Sequence, residues 1–196
     1  FAFEYCTKLT SITIPDSVTS FGFRASEGCT RLTGVYITDI AAWCGIDFVL
    51  SNPLSYAKNL YLIGVFVKDL VIPDGVTAIP AYAFYNCTNL ETIHLASVIG
   101  AHAYDGCINV NSVGYYSDIP VNEIGDYAFN NCGLPSYEIT NPECVIADSE
   151  FVFPAGAAIE GHVGSTAQAY AEKYGLEFIE IESEEQGFIA YGELRS

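Results

Sequence analysis

The sequence predicts an α/β fold of solenoid type, with short parallel β-strands and helical turns stacked coil on coil and a C-terminal helix–strand cap. Three observations predict it. The segment from Ile79 to Val98, IPAYAFYNCTNLETIHLASV, has recognisable copies on both sides. Aligned on the cysteine, the copies fall at Cys6, Cys29, Cys87, Cys107 and Cys132, with spacings of 23, 58, 20 and 25. Each copy also pairs one turn-like stretch with one alternating apolar run. A period of about 20–29 residues built this way marks units that cannot bury their own apolar faces and must stack.

The strand follows the cysteine. Three positions on stand Leu9, Leu32, Leu90 and Val110, with Pro135 in that place in the fifth copy. Ile12, Val35, Ile93 and Val113 come next, then Ile14, Ile37 and Leu95, which is the strand period. Ile14-Pro15-Asp16-Ser17-Val18 and Ile72-Pro73-Asp74-Gly75-Val76 read as strand ends entering tight turns, because Pro presets φ and Asp and Gly supply turn chemistry. A second short apolar stretch follows each, Val18 to Phe21 and Val76 to Ile79. Upstream of the cysteine, Ile79-Pro80-Ala81-Tyr82-Ala83-Phe84 matches Ile99-Gly100-Ala101-His102-Ala103-Tyr104 and Ile124-Gly125-Asp126-Tyr127-Ala128-Phe129. The Ala and the ring suit one helical turn that approaches closely and fills the core. The copy before Cys29 carries Ser26 where the ring is expected.

The run Ala2-Phe3-Glu4-Tyr5-Cys6-Thr7-Lys8-Leu9-Thr10-Ser11-Ile12-Thr13-Ile14-Pro15-Asp16-Ser17-Val18-Thr19-Ser20-Phe21 resembles the BspA-like leucine-rich repeat of surface proteins from anaerobic bacteria and some protozoa. The resemblance covers roughly residues 1 to 160. It implies a leucine-rich-repeat solenoid over 1–163, an extracellular or cell-surface location, and adhesion.

Between Ile37 and Val71 the repeat is interrupted, an irregular insertion at about 39–69. Asp39 is placed to cap a short helix over Ile40 to Ile46, Asn52-Pro53-Leu54 breaks the chain, and Leu60 to Ile63 with Val65 to Ile72 read as a hairpin around Gly64. A degenerate coil with its own small core is the simpler reading of this insertion, and a functional decoration the alternative. Residues 139 to 160 read as a last degenerate coil. Residues 164–182 read as a C-terminal cap: Ser165 with Gln168 forms a capping-box pattern, Ala167, Tyr170, Ala171 and Tyr174 share a helical face, Gly175 ends the helix, and Leu176 to Ile181 alternates as a strand. Residues 183–196 read as an acidic tail or linker. The first copy starts at once, at Phe1-Ala2-Phe3, as expected of a fragment of a longer protein.

Composition narrows the partners. Twenty-four acidic residues against 7 basic ones give a formal net charge of −17. Nucleic acid and anionic membrane both need Lys or Arg to neutralise phosphate, so neither is expected as a partner. No apolar run is long enough for membrane insertion. Five of the seven cysteines share one repeat position and should stack as a buried ladder. Neighbouring coils about 4.8 Å apart fall within disulfide range, but side chains stacked in parallel do not readily reach the required dihedral. Free thiols acting as small buried hydrophobes fit better. No close Cys or His pair suggests zinc, and no cofactor is implied.

Catalysis finds no footing either. Only His94, His102 and His162 could serve as bases, and none has a nucleophile beside it in the pattern. His102 falls at a variable, exposed position of the turn, and His162 in the loop before the cap. Alternation turns His94 outward between Ile93 and Leu95, in a row with Thr13, Tyr36 and Gly114. Leucine-rich repeats commonly use that sheet face for partners, which makes Tyr36, Glu91, Thr92 and His94 the candidate binding residues. The expected function is an extracellular binding module for a host or cell-surface protein or glycan. A ligand-free spacer and a non-catalytic appendage of a larger surface enzyme are the alternatives.

Overall fold

The structure, a computed structural model, describes residues 2–49, 52–114 and 120–182. The expected tail at 183–196 lies outside them. The fold is mixed α/β: many short parallel strands and, among the described residues, three helices, Ile40–Cys44, Leu54–Ala57 and Thr166–Tyr174.

Alternation after each cysteine becomes strand, and each strand pairs in parallel with its counterpart one copy away. Ser11–Thr13, Gly34–Ile37 and Leu60–Leu62 form one sheet, in which Ile12 faces Val35 and Val35 faces Leu60. Asp69–Leu70, Thr92–His94 and Ser112–Gly114 form a second, aligning Leu70, Ile93 and Val113. Ser136–Ile139, Ala158–Gly161 and Glu177–Glu180 form a third. The turns after Pro15 and Pro73 close with Val18 N–H donating to Pro15 O and Val76 N–H to Pro73 O. Beyond them lie the second extended stretches: Ser20–Phe21 pairs with Asp47–Phe48, and Ala78–Ile79, Val98–Ile99, Glu123–Ile124 and Val145–Ile146 make a parallel side sheet. Ile79, Ile99 and Ile124 stack there, all buried. In the fifth copy Pro135 is exposed, and Leu134, one place earlier, takes the buried position.

The stretch before each cysteine is not the helical turn the pattern suggested. Its N–H groups alternate between two kinds of acceptor. Tyr82, Phe84 and Asn86 donate to Ala101, Ala103 and Asp105 of the next copy at 2.9, 2.9 and 2.8 Å. Ala83, Tyr85 and Cys87 donate within their own copy to Pro80, Tyr82 and Phe84. The next copy repeats this, with His102, Tyr104 and Gly106 donating onward to Asp126, Ala128 and Asn130. An α-helix would turn every N–H back along its own chain and leave the neighbouring carbonyls empty. The alternation instead takes two left-handed residues per copy. One is five before the cysteine, at Arg24, Tyr82, His102 and Tyr127; the other is directly before it, at Tyr5, Gly28, Asn86, Gly106 and Asn131. Gly125 follows from the same closeness, since a Cβ there would lie 2.5 Å from Ala101 N.

Side chains at equal positions stack into the core. Phe84, Tyr104, Phe129 and Phe153 form a ring ladder at 5.5, 5.7 and 5.8 Å with nearly parallel planes. Cys29, Cys87, Cys107 and Cys132 are buried and carry free thiols. The expected ladder of five is one short, because Cys6 is exposed on the first copy with no turn stacked outside it among the described residues. Cys29 and Cys107 donate through Sγ to Phe3 O and Phe84 O of the preceding copy at 3.1 and 3.2 Å. Burial pushes the Cys87, Cys107 and Cys132 thiols above their usual range, so they stay protonated and behave as small apolar groups.

The insertion packs into this same core, not into a small one of its own: Trp43, Leu54, Ala57 and Leu60 all belong to it. Asp39 caps its helix, Oδ1 accepting from Ala42 N at 2.7 Å, and the helix ends at Cys44, short of the expected Ile46. Beyond Asn52-Pro53, the second helix carries on to Ala57. At the C-terminus Ser165 Oγ accepts from Gln168 N, and Gln168 Oε1 accepts from Gly164 N at 2.7 Å. Ala167, Tyr170 and Ala171 turn inward, while Tyr174 is only half-buried.

Candidate functional site

The sheet positions single out one aromatic cluster. Thr13, Tyr36 and Tyr61 are in register on neighbouring strands. Tyr36 and Tyr61 stack face to face at 4.5 Å, only 10° from parallel. Gly34 makes room for them, since a Cβ there would stand 3.1 Å from both rings. Leu60–Leu62 then turns back through Ile63 and Gly64, both with positive φ as a two-residue hairpin of twist-matched type requires. The return strand is Val65–Phe66 alone; the expected longer strand to Ile72 splits, because Val67 turns into the core and Asp69–Leu70 joins the next sheet. Phe66 pairs with Tyr61 and meets its ring edge-on at 5.3 Å. Ile63 and Val65 at the tip are 73% and 69% exposed.

The four sequence candidates are not one continuous row. Tyr36 belongs to the first sheet, and Glu91, Thr92 and His94 lie on or beside the Thr92–His94 strand of the second. Glu91 forms an exposed ion pair with Lys68 at 2.6 Å, and Thr92 Oγ1 shares a hydrogen bond with Ser112 Oγ at 2.9 Å. His94 does not face out as alternation predicts. It is only 5% exposed, because Gly114 stands opposite and leaves bare backbone for the imidazole to lie across. Burial holds its pKa below the usual 6.5, partly opposed by the Asp69 charge. Tyr61 and Phe66 were missed. Leu60-Tyr61-Leu62 matching Val35-Tyr36-Ile37 was the available signal for Tyr61; nothing in the pattern marks where the Phe66 strand stops.

His102 is not on an open surface either. Its ring is sandwiched between Tyr82 and Tyr127, at 4.7 Å and 12° from each. Its Nδ1 meets Asp105 Oδ2 at 2.8 Å, and Asn130 Nδ2 donates to the other carboxylate oxygen. Both partners are thereby committed to holding turns together. Among the described residues no three His, Cys, Asp or Glu side chains converge as a metal site, and no helix is long and apolar enough to cross a membrane.

Repeats built on one cysteine-centred turn and one short parallel strand place the chain in a defined class, and comparison with known families agrees. The family of BspA type leucine rich repeat regions matches residues 1–44, 64–99 and 77–155 in six copies, and the chain belongs to it. The internal unmatched stretch, 45–63, falls within the insertion, and residues 156–196 lie outside the match. A leucine rich cell surface protein from Faecalibacterium prausnitzii A2-165, solved at 1.80 Å, shares the fold with a TM-score of 0.50 at 18% identity. The match covers 95% of this chain and 64% of that one. No curated protein matches the chain significantly.

Proposed function

We propose that the chain is a non-catalytic recognition module of a cell-surface protein, its copies stacked as one solenoid and closed by residues 164–182. Its partner is a protein of a host or of a neighbouring cell, engaged in adhesion through the first sheet. The observation that carries this reading is the Tyr36–Tyr61 stack with Phe66 against its edge and exposed Ile63 and Val65 at its rim. Stacked tyrosines offer large rigid contact area at low entropic cost, and interfaces are enriched in them. Glu91 and Thr92 lie on the following sheet as polar periphery, and His94 acts beneath the surface as support. The family and the cell-surface neighbour support the location and the absence of chemistry.

The test is a binding screen of the purified chain against matrix and cell-surface proteins at low and physiological salt. A saturable partner whose affinity falls about tenfold or more in Tyr36→Ala and Tyr61→Ala, as truncated aromatic anchors do, is the expected result. Binding that disappears with salt and ignores both substitutions reflects only the −17 charge and defeats the proposal. A blank across the panel moves the reading to a spacer without a ligand.

A further inference from the structure

The ring ladder has a gap. Phe84, Tyr104, Phe129 and Phe153 hold the position three before the turn's end, and the second copy holds Ser26 there. Ser26 is 1% exposed. It lines a cleft of about 230 Å³ between its own turn and the helix Leu54–Ala57. Phe23 and Tyr56 also line that cleft, as do Arg24, Glu27 and Ser55.

We propose that this cleft binds one neutral sugar ring of a glycan. A pyranose has an apolar C–H face and a rim of hydroxyls, and the cleft offers a counterpart to each. Phe23, half exposed, and Tyr56 supply aromatic wall. Arg24 Nε is fixed to Glu27 Oε2 at 2.7 Å, and its guanidinium stands 5.2 Å over the Phe23 ring. The outer N–H groups of Arg24 and the second oxygen of Glu27 thus form a preorganised donor–acceptor pair for vicinal hydroxyls. Ser26 and Ser55 add hydroxyls that can donate or accept. Arg24 and Glu27 cancel each other's charge, so an ionic ligand finds no counter-ion there, and a net charge of −17 further disfavours acidic sugars. The volume is below the roughly 300–1,000 Å³ of sites for drug-sized ligands, which suits a single ring.

The inference deepens the reading of the chain as a recognition module but uses a different face, so the two can fail separately. Saturation-transfer NMR of the whole chain with methyl glycosides of glucose, galactose, mannose and N-acetylglucosamine tests it, with methyl glucuronide as the acidic control. Transfer to at least one neutral glycoside is expected. It should weaken about tenfold in Arg24→Gln and disappear in Ser26→Phe, which restores the repeat's ring and fills the cleft. Arg24 lies on the surface, so its variant keeps the test valid even where Ser26→Phe fails to fold. No transfer to any neutral glycoside, transfer to the glucuronide alone, or transfer untouched by Arg24→Gln overturns the cleft. Transfer lost in Tyr36→Ala but kept in Arg24→Gln also overturns it and moves sugar binding to the sheet face.

Discussion

The regular copies between Ala78 and Phe153 and the insertion at 39–69 solve one problem in opposite ways. Every buried turn must have its carbonyls satisfied and its apolar side covered. In the regular copies the backbone does this by itself: Ala103 O and Ala128 O receive Phe84 N–H and Tyr104 N–H from the neighbouring turn. At the insertion no matching turn is found among the described residues, and the equivalent carbonyl, Ala83 O, receives side chains. Trp43 Nε1 donates to it at 3.0 Å, and Asn52 Nδ2 donates to it at 2.9 Å and to Tyr82 O at 2.6 Å. Asn89 bridges the break between the first two sheets, accepting from Leu60 N and donating to Leu60 O and Val67 O. The repeat motif is therefore one means of satisfying the stack and not a requirement for it. What differs is where the dependence lies. Backbone satisfaction is spread over many residues of any sequence, whereas the insertion depends on three named side chains.

The largest effects should come from the ring ladder, which lies in the regular copies and belongs to the same buried core as the insertion. Tyr104→Ala removes a ring packed between Phe84 and Phe129 and should cost about 3–5 kcal/mol in urea unfolding. Tyr104→Phe keeps the ring and loses only the 3.0 Å bond from its hydroxyl to His94 O, so it should cost about 1 kcal/mol. Equal losses for the two would mean that the hydroxyl, not the stack, holds this level together.

A sharper test of the contrast uses two asparagines. Asn52 is buried and meets three backbone groups, through Nδ2 to Tyr82 O and Ala83 O and through Oδ1 from Leu54 N. Asn52→Ala strands buried carbonyls and should cost about 1–3 kcal/mol. Asn109 makes one exposed bond to Thr88 O between regular copies, where the backbone already carries the stack, and Asn109→Ala should stay within about 0.5 kcal/mol. If both substitutions cost the same, the distinction between concentrated and distributed dependence is wrong.

The same contrast explains what could be read from the sequence. The strand rows, the Asp39 and Ser165 caps and the hairpin at Gly64 rest on local chemistry, and all are legible there. The turn conformation was half legible. Gly28, Asn86, Gly106 and Asn131 before the cysteine are residues that tolerate positive φ. Arg24, Tyr82 and Tyr127 adopt it too, with no such preference, because hydrogen bonding between copies imposes it. Trp43 and Asn52 as substitute donors were not legible, since their acceptors lie about 30–40 residues away in sequence. His94 was misplaced because alternation assumes a side chain on the opposing strand, and Gly114 provides none.

That last residue supplies the smallest and most specific expected effect. Burial holds the folded His94 pKa below its ordinary 6.5, so below that pH the unfolded chain binds the extra proton more readily than the native one. Stability from this group is then complete above about pH 6.5 and declines as pH falls below it. Asp69, whose charge favours the protonated ring, reduces the decline without reversing it. Urea midpoints at pH 7.5 and 5.5 measure the effect, with His94→Gln as the reference. The wild type should lose more stability between the two pH values than the variant does. A pH dependence as steep in His94→Gln as in the wild type would place the titrating group elsewhere, and with it the claim that Gly114 draws this imidazole under the sheet surface would lose its thermodynamic support.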